Sequence, residues 1–311
     1  MRKIVGPILF LIFLLEVTVA VIIILNVPGG FGSLVAVDLG PERRRELPAK
    51  TFDNINKSSR LVVENDNGRV EVTGSNNSSQ VMVKATQVTH GTNDEAFSHL
   101  TFDVVQSGND IVVKAKSNSL GLSLGGNNRT DLQITVPTYI VTNLTTENSI
   151  ISLSNLDNAE AQHTIQTDNG RITLTNVKAK YIQAHSDNGL MSLDTVTSRL
   201  NAETSNGRIE AVKSTLDIES VKTDNGSIDL RGSLQQTGGG EISTSNGAVH
   251  LRVAQVSQAR YEVSTSNGSI NFNAPNVVYT LQERRHVTTM GTGPLIRINT
   301  DNGSVNIEQG S

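Results

Sequence analysis

Thr167 to Leu174 reads TDNGRITL, and the chain writes the phrase again as TSNGRIEA at 204–211, TDNGSIDL at 223–230 and TSNGAVHL at 244–251. TSNGSINF at 265–272 and TDNGSVNI at 300–307 follow. Asn-Gly occurs at Asn67–Gly68, Asn169–Gly170, Asn188–Gly189, Asn206–Gly207, Asn225–Gly226, Asn246–Gly247, Asn267–Gly268 and Asn302–Gly303. From Gly170 to Gly268 the glycines are spaced 19, 18, 19, 21 and 21 residues apart. ENSIISL at 147–153 is a degraded copy with Ser149 in the glycine place.

Aligned on the glycine, three columns are apolar. Two residues after it stand Val70, Ile172, Met191, Ile209, Ile228, Val249, Ile270 and Val305. Four after stand Val72, Leu174, Leu193, Ala211, Leu230, Leu251, Phe272 and Ile307, and five before stand Val63, Ile165, Ala184, Ala202, Val221, Ile242, Val263 and Ile298. Polar residues fill the places between, so each copy is strand, turn, strand with one buried face. A meander of hairpins would also use Asn-Gly turns. A fixed period near 20 residues fits better one coil of a β-solenoid, in which equivalent side chains stack about 4.8 Å apart. Length varies only between the second strand and the next copy, as at 194–199, 212–218 and 252–260, which places a looser third side there.

The column three before the glycine is Asn65, Thr167, Ser186, Thr204, Thr223, Thr244, Thr265 and Thr300. Its hydroxyls are expected to bond to the turn backbone. The repeated Asn is expected to take φ > 0 ahead of its Gly and to stack into a hydrogen-bonded ladder. Before it, Asp66, Asp168, Asp187, Asp224 and Asp301 alternate with Ser205, Ser245 and Ser266.

Composition narrows the function. The net charge of -4, the 4% aromatic content and the absence of Trp give no basic, aromatic-interleaved surface for nucleic acid. Without cysteine there is no disulfide, thiolate metal site or Cys nucleophile.

Ile4 to Val27 is apolar except for Glu16, Thr18 and Asn26. As a helix it would span roughly 36 Å, enough to cross a bilayer. No A-x-A site follows, and the run is too long for a signal-peptide core. Arg2 and Lys3 favour a cytoplasmic N-terminus, with Arg43, Arg44 and Arg45 competing from the other side. Glu16 is expected to be protonated or to pair with a second copy of the helix.

Residues 28–50 read as a linker rich in Gly and Pro. From Thr51 the chain is strand-rich, with one helix expected over 92–100, where Thr92 and Glu95 match a capping box. This first part is expected to shield the first coil. The final strand, SVNIEQGS, is expected to leave an open edge through which copies self-associate.

The β-rich start, ITVP at Ile134 to Pro137 and the successive T/S-x-N-G-x-I/V-x-hydrophobic copies resemble the bacterial putative adhesin domain family of β-strand-repeat proteins. The match covers about Thr51 to Ser311, and GTGPLIRINTDNGSVNI resembles the way such domains finish. The resemblance implies a solenoid and a cell-surface location. It supplies no catalytic or binding residues.

Calcium binding at the Asp-Asn-Gly turns is disfavoured, because Ser replaces Asp in three of eight copies and the nine-residue spacing of calcium repeats is absent. A carbohydrate-active β-helix enzyme needs paired carboxylates on one face. The outward column Gln166, His185, Glu203, Lys222, Ser243 and Ser264 has none. His90, His99, His163, His185, His250 and His286 make no ligand spacing. SLGLSLGG at 119–126 lacks the Lys and helix of a phosphate loop. Arg69, Arg171 and Arg208 read as solvated partners of Glu71 and Glu210.

The expectation is therefore an all-β, single-domain β-solenoid (β-helix) with Asn-Gly corners, behind one transmembrane helix. Residues 1–3 are cytoplasmic, 4–27 span the membrane, 28–50 link, and 51–311 form the domain outside the cell. Within that domain 51–145 are irregular and 146–311 are regular coils. The role is surface interaction, adhesin-like or envelope-structural, without catalysis, cofactor, metal or nucleic acid. The partner is an unknown surface ligand or protein. A scaffold or signalling accessory that binds a membrane protein or self-assembles is the first alternative, and a carbohydrate-active β-helix enzyme is the second.

Overall fold

The computed structural model describes residues 19–23, 35–39, 41–117, 128–256 and 259–310. Period-2 alternation has its expected consequence in the long strands Ile172–Ser186, Met191–Thr204 and Ile209–Thr223. They lie parallel and in register, pairing Ile172 with Met191, Met191 with Ile209 and Ile209 with Ile228. On the side before the corner, Ala184, Ala202, Val221 and Ile242 stack in the same way. All eight of these side chains are buried. Each coil thus contributes one rung to several apolar columns, and truncating a fully enclosed rung such as Leu200 to Ala would cost about 2–5 kcal/mol.

A second bend, six residues after the corner, was not read from the sequence. Asn155, Asn176, Thr195 and Lys213 have φ between 51° and 58° there, and Gly232 has φ 153°. Beyond it runs the third side of the coil, where Leu156, Val177 and Val196 stack. Register shifts occur on this side between Asn158 and Gln162 and between Lys178 and Tyr181. The variable lengths are absorbed where the looser side was expected.

The glycines at the first corner have a different reason from the one expected. No corner Asn has positive φ; among the corner glycines only Gly68 does, at 121°. Adjacent coils simply come too close for a side chain. A Cβ on Gly189 would lie 1.7 Å from the carbonyl oxygen of Gly170, and one on Gly226 would lie 1.8 Å from that of Gly207.

The coils do not stack in chain order. Gly240–Thr244 pairs with Leu295–Thr300, which in turn pairs with Arg260–Thr265. Past the corner, Val249–Val253 pairs with Val305–Gln309, which pairs with Ile270–Asn273. The Gly303 coil is therefore inserted between those of Gly247 and Gly268. This corrects the expected open C-terminal edge: Val305–Gln309 has a parallel neighbour on both sides, and Val305 and Ile307 are fully enclosed. The other end is interleaved too. Arg60–Asn67 lies between Asp110–Ser117 and Val141–Asn148, and Val70–Ser75 lies between Arg129–Pro137 and Ile151–Thr167.

Antiparallel strands close both ends, as the shielding of the first coil requires. At the start, Leu100–Ser107 covers Asp110–Ser117, and Val81–His90 covers Arg129–Pro137. Glu42–Glu46 and Lys50–Phe52 pair with Val81–His90. At the far end, His286–Met290 pairs with Arg260–Thr265 and with Val278–Gln282. The helix expected over 92–100 is a 3₁₀ helix, Asp94–His99. Its N-cap is Asn93, with no side-chain cap bond, so the Thr92–Glu95 capping box does not form.

Most of 4–27, with Glu16, lies outside the described residues, as does all of SLGLSLGG at 119–126. Within 4–27 the described part, Val19–Ile23, is a strand antiparallel to Val35–Leu39 and not helix. Four β-branched residues in those five positions favour that geometry. Among the described residues no helix is long and apolar enough to cross a membrane.

Candidate functional site

The Asn-Gly corners converge into a single row. From Asn148 onward, each corner Asn donates its Nδ2 to the Oδ1 of the Asn one coil nearer the start of the stack. Asn148 donates to Asn67 at 3.1 Å, Asn169 to Asn148 at 3.0 Å, Asn188 to Asn169 at 2.8 Å and Asn206 to Asn188 at 2.8 Å. Asn225 to Asn206, Asn246 to Asn225, Asn302 to Asn246 and Asn267 to Asn302 are all 2.9 Å. Aligned amides polarise one another, so the row is stronger than its separate bonds. It includes Asn148 of the degraded copy, and it follows the spatial order of the coils, with Asn302 ahead of Asn267.

Behind it the hydroxyl column bonds to the turn backbone as expected, but to that of the neighbouring coil. Thr223 Oγ1 donates to the Gly207 carbonyl at 2.9 Å, Thr244 to Gly226 at 2.9 Å, Thr300 to Gly247 at 2.9 Å and Thr265 to Gly303 at 2.8 Å. The pattern breaks at the first coils. There Asn65 Nδ2 donates to the Thr130 carbonyl at 3.1 Å, and Asn65 Oδ1, Thr130 Oγ1, Thr146 Oγ1 and Ser149 Oγ have no partner among the described residues.

The corner acids are individually engaged or solvated. Asp66 accepts from Lys116 Nζ at 2.9 Å and from the Ser117 N–H at 2.9 Å, and this contact raises the Lys116 pKa. Asp187 faces His185 Nε2 at 3.0 Å. Among the described residues no group of three or more His, Asp and Glu could hold a metal ion.

The arginine reading needs correction in two of its three cases. Arg208 lies 3.6 Å from Glu210, as expected, and also 3.0 Å from Asp229. Arg69 and Arg171 form no ion pair with Glu71 or any other described carboxylate. The Arg69 backbone N–H instead meets Asp131 Oδ1 at 2.9 Å. Asp229 is buried, which pushes its pKa up, but Arg231 at 2.6 Å and Arg208 more than offset this and hold it below the ordinary value.

His163 and Tyr261 are among the polar side chains enclosed in the interior. His163 is fully enclosed, in the column that holds Ile182 in the next coil. Its Nδ1 accepts from the Thr142 N–H at 3.3 Å and lies 3.0 Å from Thr142 Oγ1, which places the ring proton on the partnerless Nε2. Burial lowers its pKa to about 4. Tyr261, also enclosed, packs edge-on against Phe272 at 5.5 Å, and burial raises its pKa.

Concave surfaces occur at both ends of the row. Near the start, a cleft of about 1000 Å³ mixes Arg44, Arg69, Lys84 and Arg129 with Glu46, Glu71 and Asp131. At the far end, a hollow of about 490 Å³ lies over the Gly268 and Gly303 corners and is lined by Arg284 and Arg285, with no carboxylate. Sequence reasoning missed both. Arg284–Arg285 is a visible basic pair, but only the out-of-order stacking and the closing hairpin bring it over the row's last corner.

In-register parallel coils, a stacked Asn corner and antiparallel closing strands define an all-β, solenoid-like domain. The chain belongs to the Toastrack DUF4097 family, whose model matches residues 35–308. It matches no curated protein. Among solved structures it is similar to a putative lipid binding protein from Parabacteroides distasonis, at 13% identity and TM-score 0.41, over 88% of this chain and 98% of that one. It is also similar to a putative adhesin from Bacteroides fragilis, at 14% identity and TM-score 0.39, over 86% and 97%. A putative cell adhesion protein from Clostridium sporogenes matches at 12% identity and TM-score 0.29, over 86% and 100%. At this likeness none of them assigns a residue or ligand to this chain.

Proposed function

We propose that the protein is a surface-displayed interaction rod, tethered through residues 4–27 with its β-domain outside the cell and working by contact and not catalysis. One observation carries this reading: Glu42–Glu46, the first strand after the Val35–Leu39 strand that pairs with Val19–Ile23, joins one end of the stack, whereas the Gly268 coil and its hairpin form the other. Ten coils, nine spacings of about 4.8 Å, place these ends roughly 43 Å apart. A stiff, polar-faced stack with a tether at one end suits presentation of the opposite tip. Mapping exposed lysines with a membrane-impermeant amine reagent tests it. Lys178 and Lys180, both well exposed, should label on intact cells. Labelling only after lysis would overturn it.

One observation favours a second reading, assembly with a second copy of this chain through the tip. Val278–Gln282 has one ladder neighbour, and Val278 and Met290 stand opposite each other, 60% and 62% exposed. Lysine at both positions should leave the full chain smaller on sizing in detergent; an unchanged size would remove this reading.

A further inference from the structure

We infer that the hollow at the far end of the Asn row is a binding site for an acidic polysaccharide, with Arg284 and Arg285 holding its carboxylate or sulfate groups. This rests on the tip being the presented end. The two arginines are fixed by their own backbone: the Arg285 carbonyl accepts from the Thr265 N–H at 3.1 Å, and the Arg284 carbonyl accepts from the Ile270 N–H at 3.0 Å. These bonds clamp the segment across the Gly268 corner, so both guanidiniums start from a rigid base.

Their charge is not already spent. Arg199, Arg208, Arg231 and Arg297 each pair with a carboxylate. Arg284 and Arg285, both exposed, pair with none among the described residues, and no acid lines the hollow. Glu283 precedes them in the chain and Asp301 lies at the adjoining corner, and neither closes an ion pair with them. Arg171 also lacks an acidic partner, but it stands alone on an open corner.

The rest of the lining selects the kind of anion. Asn267, Asn302, Ser269, Ser304, Gly268 and Gly303 offer amides, hydroxyls and backbone, and no apolar side chain. Asn267 ends the row: its Nδ2 is committed to Asn302, while its Oδ1 has no ladder donor and is left to accept. Two anion-binding forks beside an acceptor and hydroxyls suit a chain bearing both acid groups and hydroxyls. An acidic peptide would find nothing for its apolar side chains.

The experiment uses the full chain in detergent micelles, applied to immobilised polygalacturonate, dextran sulfate, neutral dextran and polyglutamate, with inorganic phosphate as a free competitor. The wild type should be retained on polygalacturonate or dextran sulfate and released by salt, and it should pass through neutral dextran. Arg284→Ala with Arg285→Ala should weaken apparent affinity at least about tenfold, whereas Arg171→Ala should not. Equal retention of the double variant, or equal loss with Arg171→Ala, would overturn the site. Retention on neither acidic glycan, stronger retention on polyglutamate, or binding of phosphate alone would overturn the ligand. The surface-labelling result is independent of each of these.

Discussion

Asn302 Nδ2 donates to Asn246 Oδ1 at 2.9 Å, joining side chains 56 residues apart while Asn267, nearer in sequence, sits one coil further out. The last strand is thus a wedge driven between two earlier coils. Lysine at Val305 and Ile307 would put two charges into enclosed positions, at several kcal/mol each. The expected outcome is loss of cooperative thermal unfolding. An open edge would instead give a well-folded variant with a normal melt.

Close approach of the coils makes the corner glycines the least replaceable residues. Gly226→Ala should destabilise by about 3 kcal/mol or more in chemical denaturation, because both groups in collision are backbone. Gly238→Ala, where an added Cβ meets nothing within 4 Å, should change stability by under about 0.5 kcal/mol.

Thr195 is a β-branched residue at φ 58°, a place its neighbours Asn155 and Asn176 fill with a tolerant side chain. Asn176 already donates to Asn155 at 3.0 Å. Thr195→Asn relieves the strain and offers that short row a third member, and should raise stability by about 1 kcal/mol, read from the denaturant midpoint.

His163 makes stability depend on pH. Its folded pKa of about 4 lies below the unfolded value near 6.5. As pH falls through 6.5 the unfolded chain takes up a proton that the folded chain refuses until about 4. Stability is therefore complete above pH 6.5 and declines between 6.5 and 4, by up to about 3 kcal/mol. His163→Leu strands the Thr142 N–H and lowers stability at neutral pH, yet it should flatten the slope in that window. An unchanged slope would mean the imidazole is not the group responsible.

The sequence was most legible where one residue type answers one constraint. The apolar columns, the Asn row and the hydroxyl column could be read from parity and repetition, because every coil meets the same neighbours. The cause of the Asn-Gly pairing was not readable: a turn needing φ > 0 and a backbone approach excluding Cβ select the same dipeptide. The bend at Asn155, Asn176, Thr195, Lys213 and Gly232 was hidden by its mixed residue types. Gly232, with the two asparagines, was its only trace. Stacking order was beyond pattern reading, since the Gly303 copy carries the same columns as any other and would fit beside any of them. The far-end hollow depends on that order and was hidden with it.

The most direct test of the interleaved stack is disulfide cross-linking, for which the chain's lack of cysteine gives a clean background. His250 is the lateral neighbour of Asn306, and Asn306 that of Asn271, so His250 and Asn271 are two strands apart, about 9.6 Å. With cysteines at 250 and 306, mild oxidation should close a bridge, since neighbouring strands bring the Cα atoms within the usual range of about 4.4–6.8 Å. Cysteines at 250 and 271 should stay reduced. A bridge between 250 and 271, with none between 250 and 306, would mean that the coils stack in chain order and that the tip described here does not exist.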